Sequence, residues 1–248
     1  LLGLASQTLN VGDVYSEAGA SAADNVDGDV SLNVVLSGNV DSRKVGLYNL
    51  TYNVTDNAGN AAQAMVRVIT VQDVLAPVVS APANILVAAT DASGKNSLDE
   101  TISGFINAAS AVDDVDGVIT SILNDAPLIF PLGVTTVVFS AQDNEGNVGV
   151  SQASVTVTDQ TAPFLSLMGE ENLLLNVGAE YIEQGASALD NVDGDLTGSI
   201  AMLGSVNINI PGLYVLTYNV SDAAGNETTL TRNISVQDVS APLLTAPA

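Results

Sequence analysis

GLYNLTYNVTDNAGN, residues 46–60, decides the reading of the fold. Leu47, Asn49, Thr51 and Asn53 alternate with Tyr48, Leu50, Tyr52 and Val54, and a period of two sustained over a whole segment marks a β-strand with one face on a core. DNAGN supplies a Gly-Asn turn, and AMVRVITVQD (64–73) alternates in the same way, so the two segments read as a hairpin. Working back, VSLNVVLSG (30–38) reads as a third strand, with a further extended stretch at 15–22.

The same grammar returns. Asn10-Val-Gly, Asp24 and Asp56-Asn-Ala-Gly-Asn60 recur 166 residues later as Asn176-Val-Gly, Asp190 and Asp222-Ala-Ala-Gly-Asn226. Val71-Gln-Asp73 recurs after 165 as Val236-Gln-Asp238, one residue having been lost in the last hairpin. A divergent middle third carries VDDVDGV (112–118) and Asp143-Asn-Glu-Gly-Asn147. Each third closes on one phrase: VQDVLAP (71–77), VTDQTAP (157–163) and VQDVSAP (236–242). Expected bounds are therefore 1–74, 75–160 and 161–239, with a tail, 240–248, that echoes the opening of the middle third. The sequence opens at Leu1 rather than Met and reads as a window through a longer alternating array. Repeats of about 75 to 90 residues with some seven short strands each point to an all-β chain of three tandem sandwiches. The exception is SLDETISGFINAASA (97–111), where Leu98, Ile102, Phe105, Ile106 and Ala109 have helical spacing and Ser97 with Glu100 forms a capping box, giving one short helix near 97–109.

Composition narrows the function. Asp and Glu number 28 against 5 Lys and Arg, a net charge of -23, so nucleic acid and anionic membranes would be repelled. No apolar run is long enough for membrane insertion, and no signal peptide is recognisable. Cys and His are both absent, which leaves hard oxygen ligands and points to Ca²⁺ or Mg²⁺ rather than a transition metal or a Ser-His or Cys-His nucleophile.

The carboxylates are clustered. ADNVDGD (23–29) and LDNVDGD (189–195) are near copies, and like charges so close need water or a cation. The turn-forming talent of Asp, Asn and Gly is the competing explanation. An EF-hand is ruled out, because Gly28 as the sixth loop residue would place Ala23 first and Val34 twelfth. The Asn-x-Ser/Thr sites, such as Asn49 and Asn219, fall mostly within strands and read as background.

GDVYSEAGASAADNVDGD (12–29), GLYNLTYNVTDNAGNAA (46–62) and VITVQDVLAP (68–77) resemble bacterial Ig-like repeats of large surface adhesins and pesticidal crystal proteins. APANILV (81–87), FPLGVTTVVFSAQDNEGN (130–147) and VTVTDQTAP (155–163) resemble a hyalin-type repeat. The resemblance implies Ig topology, which would bring the DNVDGD and DNAGN loops to the pole where the chain enters from the preceding repeat. The closing Asp of that preceding repeat would arrive at the same place. Asp73 is then expected near Asp113, Asp114, Asp116, Asp143 and Asn147, and Asp159 near Asp190, Asp193, Asp195, Asp222 and Asn226. Asp24, Asp27, Asp29, Asp56 and Asn60 form the same set in the first repeat, and Asp238 opens the next. Val118 replaces the last Asp in the middle third. Glu17 and Glu183 would lie at the opposite pole and add to the following junction. The arrangement is similar to the calcium-bearing junctions of cadherins.

The expected function is a structural segment of an extracellular bacterial adhesin or surface fibre, with neighbouring Ig-like domains of the same or an identical chain as partners and Ca²⁺ stiffening the junctions. Rival readings are a filament subunit that polymerises through its terminal strand, and a calcium-dependent glycan-binding module. An enzyme is not expected, since the carboxylates repeat in every third.

Overall fold

The computed structural model describes residues 1–245, so positions 246–248 of the expected tail lie outside it. The described chain consists of β-strands, one α-helix (Glu100–Ile106) and two single 3-10 turns. It divides into two compact units. One comprises Leu1–Ala81, Ala108–Asp125 and Val138–Gln152, and the other holds Pro82–Asn107, Ala126–Val137 and the chain from Ala153. The strands Gly133–Gln142 and Val148–Thr158 contribute residues to both.

In the first unit, Gly46–Asn53 and Met65–Gln72 form the expected hairpin at the centre of a four-stranded sheet. Ser6–Asn10 adds in parallel to one side and Val35–Ser37 antiparallel to the other. Leu50, Tyr52, Ile69 and Val71 are buried, the parity that the sequence period requires. The stretch at 30–38 begins with a 3-10 turn, Ser31–Asn33, rather than a strand, because the Asp29 carboxylate accepts from the Ser31 amide at 2.9 Å and coils the chain first. Residues 15–22 form no strand either. Their backbone serves side chains instead: the Gly19 amide donates to Glu17 and its carbonyl accepts from Arg67. From the middle repeat this unit takes Ser110–Asp113, which pairs with Val78–Ser80 on one side and Gly117–Ile119 on the other.

In the second unit, Asn172–Asn176, Glu227–Gln237, Gly212–Ser221 and Ala201–Leu203 repeat the four-stranded sheet in the same order. A three-stranded sheet, Phe164–Leu167, Ala186–Asp190 and Gly194–Asp195, accompanies it. Leu165, Ala188, Leu216, Tyr218, Ile234 and Val236 belong to one core. The helix is capped by Asp99, whose side chain accepts from the Thr101 amide at 3.0 Å, and not by Ser97 as the capping box implies. Ile102 and Phe105 are its buried residues, while Leu98 precedes it and faces solvent.

Each outer repeat also buries an arginine. Arg67 and Arg232 share the inward parity of Ile69, Val71, Ile234 and Val236, and each lies over a tyrosine ring, 5.6 Å from Tyr52 and 5.9 Å from Tyr218. Arg67 pairs with Glu17 and donates to the Leu2 and Gly19 carbonyls; Arg232 pairs with Glu183 and donates to the Met168, Gly185 and Glu170 carbonyls. Glu17 and Glu183 are thus engaged inside their own repeats. Burial pushes the Glu17 carboxyl up, but hydrogen bonds from Tyr15 and Gly19 and the Arg67 charge outweigh it and hold it at about 2.

Two outcomes follow from this pairing. Arg232→Ala should destabilise the third repeat by about 3 kcal/mol in denaturant titration, because it removes a buried cation and leaves the half-buried Glu183 without its partner, and Arg232→Ala with Glu183→Gln should recover part of that loss. Since the folded Glu17 lies near 2 and its ordinary value is 4.5, its contribution is complete above 4.5 and disappears as pH falls toward 2. Glu17→Gln should flatten the acid limb of a melting-temperature profile in that window.

Candidate metal centre

Three groups of carboxylates converge at the heads of the repeats. Within each group, one oxygen from every member lies within 4.8 Å of the others: Asp24, Asp27 and Asp56; Asp73, Asp113 and Asp143; Asp159, Asp190 and Asp222. The second and third groups draw their members from three places. A linker gives Asp73 or Asp159, the acidic hairpin gives Asp113 or Asp190, and the last hairpin loop gives Asp143 or Asp222.

Local turns orient them. Asp113 Oδ1 accepts from the Val115 and Asp116 amides at 2.8 and 3.0 Å, and Asp190 Oδ1 from Val192 and Asp193 at 2.7 and 2.9 Å. Asp73 Oδ1 accepts from Leu75 and Asp159 Oδ1 from Thr161, at 3.0 and 3.1 Å. This leaves Oδ2 of Asp73, Asp113, Asp159 and Asp190, each buried and without a hydrogen-bond partner among the described residues. The hairpin aspartates are held at both oxygens. Asp143 accepts from the amide and the side chain of Asn147 at 2.7 Å each, and Asp222 likewise from Asn226 at 2.8 and 2.7 Å. The two asparagines also reach back to the incoming linker, at the Asp73 and Thr161 carbonyls, both at 3.4 Å.

The remaining acidic residues of the motif, and Asp27 in addition to its place in the first group, tie or cap the loops. Asp116 accepts from the Asn144 amide and side chain at 2.8 and 2.7 Å, Asp27 from those of Asn57 at 2.9 and 2.8 Å, and Asp193 from the Ala223 amide at 2.6 Å. Each ties the acidic hairpin to the last hairpin loop. Asp29 and Asp195, just ahead of the 3-10 turns, accept from the Ser31 and Thr197 amides at 2.9 Å each. Asp114 is exposed within its turn, and Asp238 is exposed at the end of the last strand, outside the three groups. Asn60 braces Asp56 as Asn147 braces Asp143. Asn191 is a residue that the sequence pattern did not single out. Its amide nitrogen donates to the Ala89 and Thr90 carbonyls at 3.4 and 3.3 Å, leaving a buried Oδ1 without a partner among the described residues.

Electrostatics and packing sharpen the picture. Burial pushes the Asp143 and Asp222 carboxyls up, but the Asn147 and Asn226 hydrogen bonds outweigh it and hold both below the usual range. Desolvation, together with the charges of Asp116, Asp143, Asp73 and Asp113, raises the Glu145 carboxyl beside them. Two carboxylates 4.8 Å apart repel by roughly 3 kcal/mol at an effective dielectric of 20. The linker is held close as well: a Cβ on Gly149 would stand 1.8 Å from the Pro77 carbonyl oxygen, and Thr228 donates to the Pro163 carbonyl at 2.7 Å. Hard, short-armed oxygen donors with spare buried lone pairs suit a divalent hard cation in charge and in ligand type.

A family model described as "Bacterial surface protein, Ig-like domain" matches residues 1–71 and 165–236. The chain belongs to this family. Its Ig-like repeats are therefore β-sandwiches of a bacterial surface type, as the motifs of the first and third repeats imply. An 81.3 kDa protein of Acholeplasma phage L2 is 27% identical over 87% of this chain and 30% of its own length. Hyalin of Strongylocentrotus purpuratus is 26% identical over 82% of this chain and 17% of its own, in keeping with the hyalin-type resemblance of the middle repeat. The chain thus spans less than a third of either relative. Among solved structures, a lipoprotein of Bacteroides thetaiotaomicron is 35% identical over 32% of this chain and 40% of its own, with a TM-score of 0.30. Human CDH23 EC21-23 is 12% identical over 94% of this chain and 98% of its own, with a TM-score of 0.31. Neither score establishes a shared overall fold.

Asp113→Asn keeps the Oδ1 acceptor of the turn and removes one charge from the group. In chelator it should raise the melting temperature of this Ig-like array, by relief worth about 1 to 3 kcal/mol, whereas a carboxylate that served only the turn would give no gain.

Proposed function

We propose that the chain is a structural segment of an extracellular bacterial adhesin or surface fibre, whose Ig-like repeats are stiffened by Ca²⁺ bound where one repeat runs into the next. The observation that carries this reading is the pairing of a linker aspartate with an acidic-hairpin aspartate, each with a buried and unpartnered oxygen, beside a third carboxylate. Asp73, Asp113 and Asp143 would hold one ion, and Asp159, Asp190 and Asp222 another, with Asn191 Oδ1 adding an oxygen to the second. Asp116 and Asp193 would brace the loops rather than bind directly. Without the ion the carboxylates repel and the linker is free to swing; with it, linker and loops are fixed by one shared ligand set. Extracellular sites of this kind bind at about 10⁻⁴–10⁻³ M, so calcium above the millimolar level would keep them loaded.

A non-catalytic role is supported by the repetition of the same carboxylate group at successive heads, which suits a repeated mechanical task better than a single reaction centre. A calcium-dependent glycan site is the weaker alternative, since aromatic residues for stacking on sugar rings make up 4% of the sequence. Glycan-array binding would favour it.

The experiment is a thermal melt in EDTA, in CaCl₂ and in MgCl₂ at matched ionic strength, because screening alone stabilises a chain of charge -23. At a free Ca²⁺ tenfold above its dissociation constant each site should add about 1.4 kcal/mol. Asp190→Asn should lose the calcium-specific part of the shift, and Asp195→Asn, a change at an exposed residue outside the three groups, should keep it. Equal melts in all three buffers would leave the aspartates as turn formers and end the calcium reading.

A further inference from the structure

Each repeat pairs an early strand with its last one in parallel. In the third repeat Asn172–Asn176 runs beside Glu227–Gln237, with Asn172 opposite Asn233 and Asn176 opposite Gln237. Ser6–Asn10 runs beside Met65–Gln72 in the same way, and Ile85–Ala88 beside Val148–Thr158. The start of one strand and the end of its parallel partner stand at opposite ends of the ladder. Tension along the chain therefore slides the two strands past each other and loads every ladder bond at once. An antiparallel hairpin pulled at its open end gives way one pair at a time.

Arg232 sits where such sliding would begin. It lies on the last strand just ahead of the parallel ladder and is fully buried. Its Nε donates to the Glu170 carbonyl at 3.0 Å, and Nη2 donates to the Met168 carbonyl and, at 3.3 Å, to that of Gly185. Nη1 pairs with Glu183. Met168 and Gly185 continue the other sheet, since the Met168 amide donates to the Gly185 carbonyl at 2.9 Å, one step beyond the pairing of Leu167 with Ala186. One guanidinium thus joins the last strand to the bend between the two strands by which the chain enters the repeat. Its donors form a rigid fork, so shifting the strand by one residue, about 3.3 Å, breaks these bonds together and draws a buried charge away from its carboxylate.

Arg67 holds the first repeat alike, donating to the Leu2 and Gly19 carbonyls and pairing with Glu17. The middle repeat has no arginine. Ala153 stands in its place, two positions before the buried Val155 as Arg232 stands two before Ile234. The parallel ladder there is four pairs long against five in either outer repeat, and it is continued on that side by the Ser154 amide, which donates to Asn84 Oδ1 at 2.8 Å.

We propose that the repeats bear tension, that the buried arginine is the lock that keeps the parallel strands of an outer repeat from sliding, and that the middle repeat, which lacks the lock, yields first. Under load it extends while the locked repeats stay folded, releasing chain at about 3.4 Å per residue and lowering the tension passed on. The lock uses none of the carboxylates in the three groups, so this inference does not rest on the calcium reading.

The test is optical-tweezers pulling of the 248-residue chain by its two ends, in EDTA so that no divalent cation contributes. Forced unfolding reads the unfolding rate rather than the equilibrium stability. The weakest unfolding step should release the length of 75–160, which is longer than that of 161–239. Arg232→Met with Glu183→Gln removes the lock without leaving a carboxylate unpaired, and it should bring the 161–239 step down to the force of the middle one. Arg232→Lys, which keeps the charge without the fork, should lower it too. Pulling direction separates a lock from an ordinary contribution to stability. The chain has no cysteine, so Leu213→Cys and Ser235→Cys, which face each other across the last hairpin, give handles that peel it from its open end. In that direction the third repeat should yield at a lower force, and the double variant should leave that force nearly unchanged. The proposal is overturned if 161–239 yields before or together with 75–160 in the unaltered chain, if the double variant lowers the force equally in both directions, or if it leaves the end-to-end force unchanged. Should a variant fail to fold, the comparison of the two steps in the unaltered chain still decides.

Discussion

Carboxylate repulsion inside a closed pole is the constraint around which the repeats are arranged. An aspartate buried with one oxygen in a turn and the other without a donor is costly by itself, and two of them beside a third carboxylate are costlier. Everything nearby serves to hold them there. Backbone amides fix the first oxygen, Asn147 and Asn226 clamp the hairpin aspartate, and a second tier of aspartates ties one loop to the next. Turn-forming therefore does not exclude a second use of these residues. The same side chain spends one oxygen on the turn and presents the other.

Where the strands lie was legible from periodicity, because burial on one face leaves a period of two that tertiary context seldom overrides. The repeat offset was legible for a simpler reason: glycine-containing turns tolerate little substitution without changing the turn. The failures were local. The start of the segment at 30–38 coils because Asp29 bonds its own neighbour, a competition that β-propensity does not register. The helix cap moved from Ser97 to Asp99 by the same logic, two candidate caps standing two residues apart. Choosing which aspartates converge also lay beyond the sequence, since Asp113 and Asp116 differ only in which way a tight turn aims them.

The buried arginines could have been found. Arg67 sits at the parity of Ile69 and Val71, and Arg232 at that of Ile234 and Val236, so a strict reading of the alternation places a cation in each core and demands a carboxylate partner. Of the acids between the first strand and the acidic hairpin, Glu17 and Glu183 are the pair that recurs in both repeats, 166 residues apart. Read that way, they belong to the interior of their own repeats and not to the next junction.

This interior use of arginine changes the outside of the molecule. Of the five basic residues, Arg67 and Arg232 are withdrawn into cores and Lys95 is paired with Asp99, which leaves Arg43 and Lys44, adjacent in one loop, as the cations the surface can offer. A coat so nearly free of positive charge cannot knit to its own kind through salt bridges. Copies of the chain at low salt should behave as mutually repelling colloids, and the ambient ions, rather than any patch of lysines, set how closely a crowd of these chains can pack.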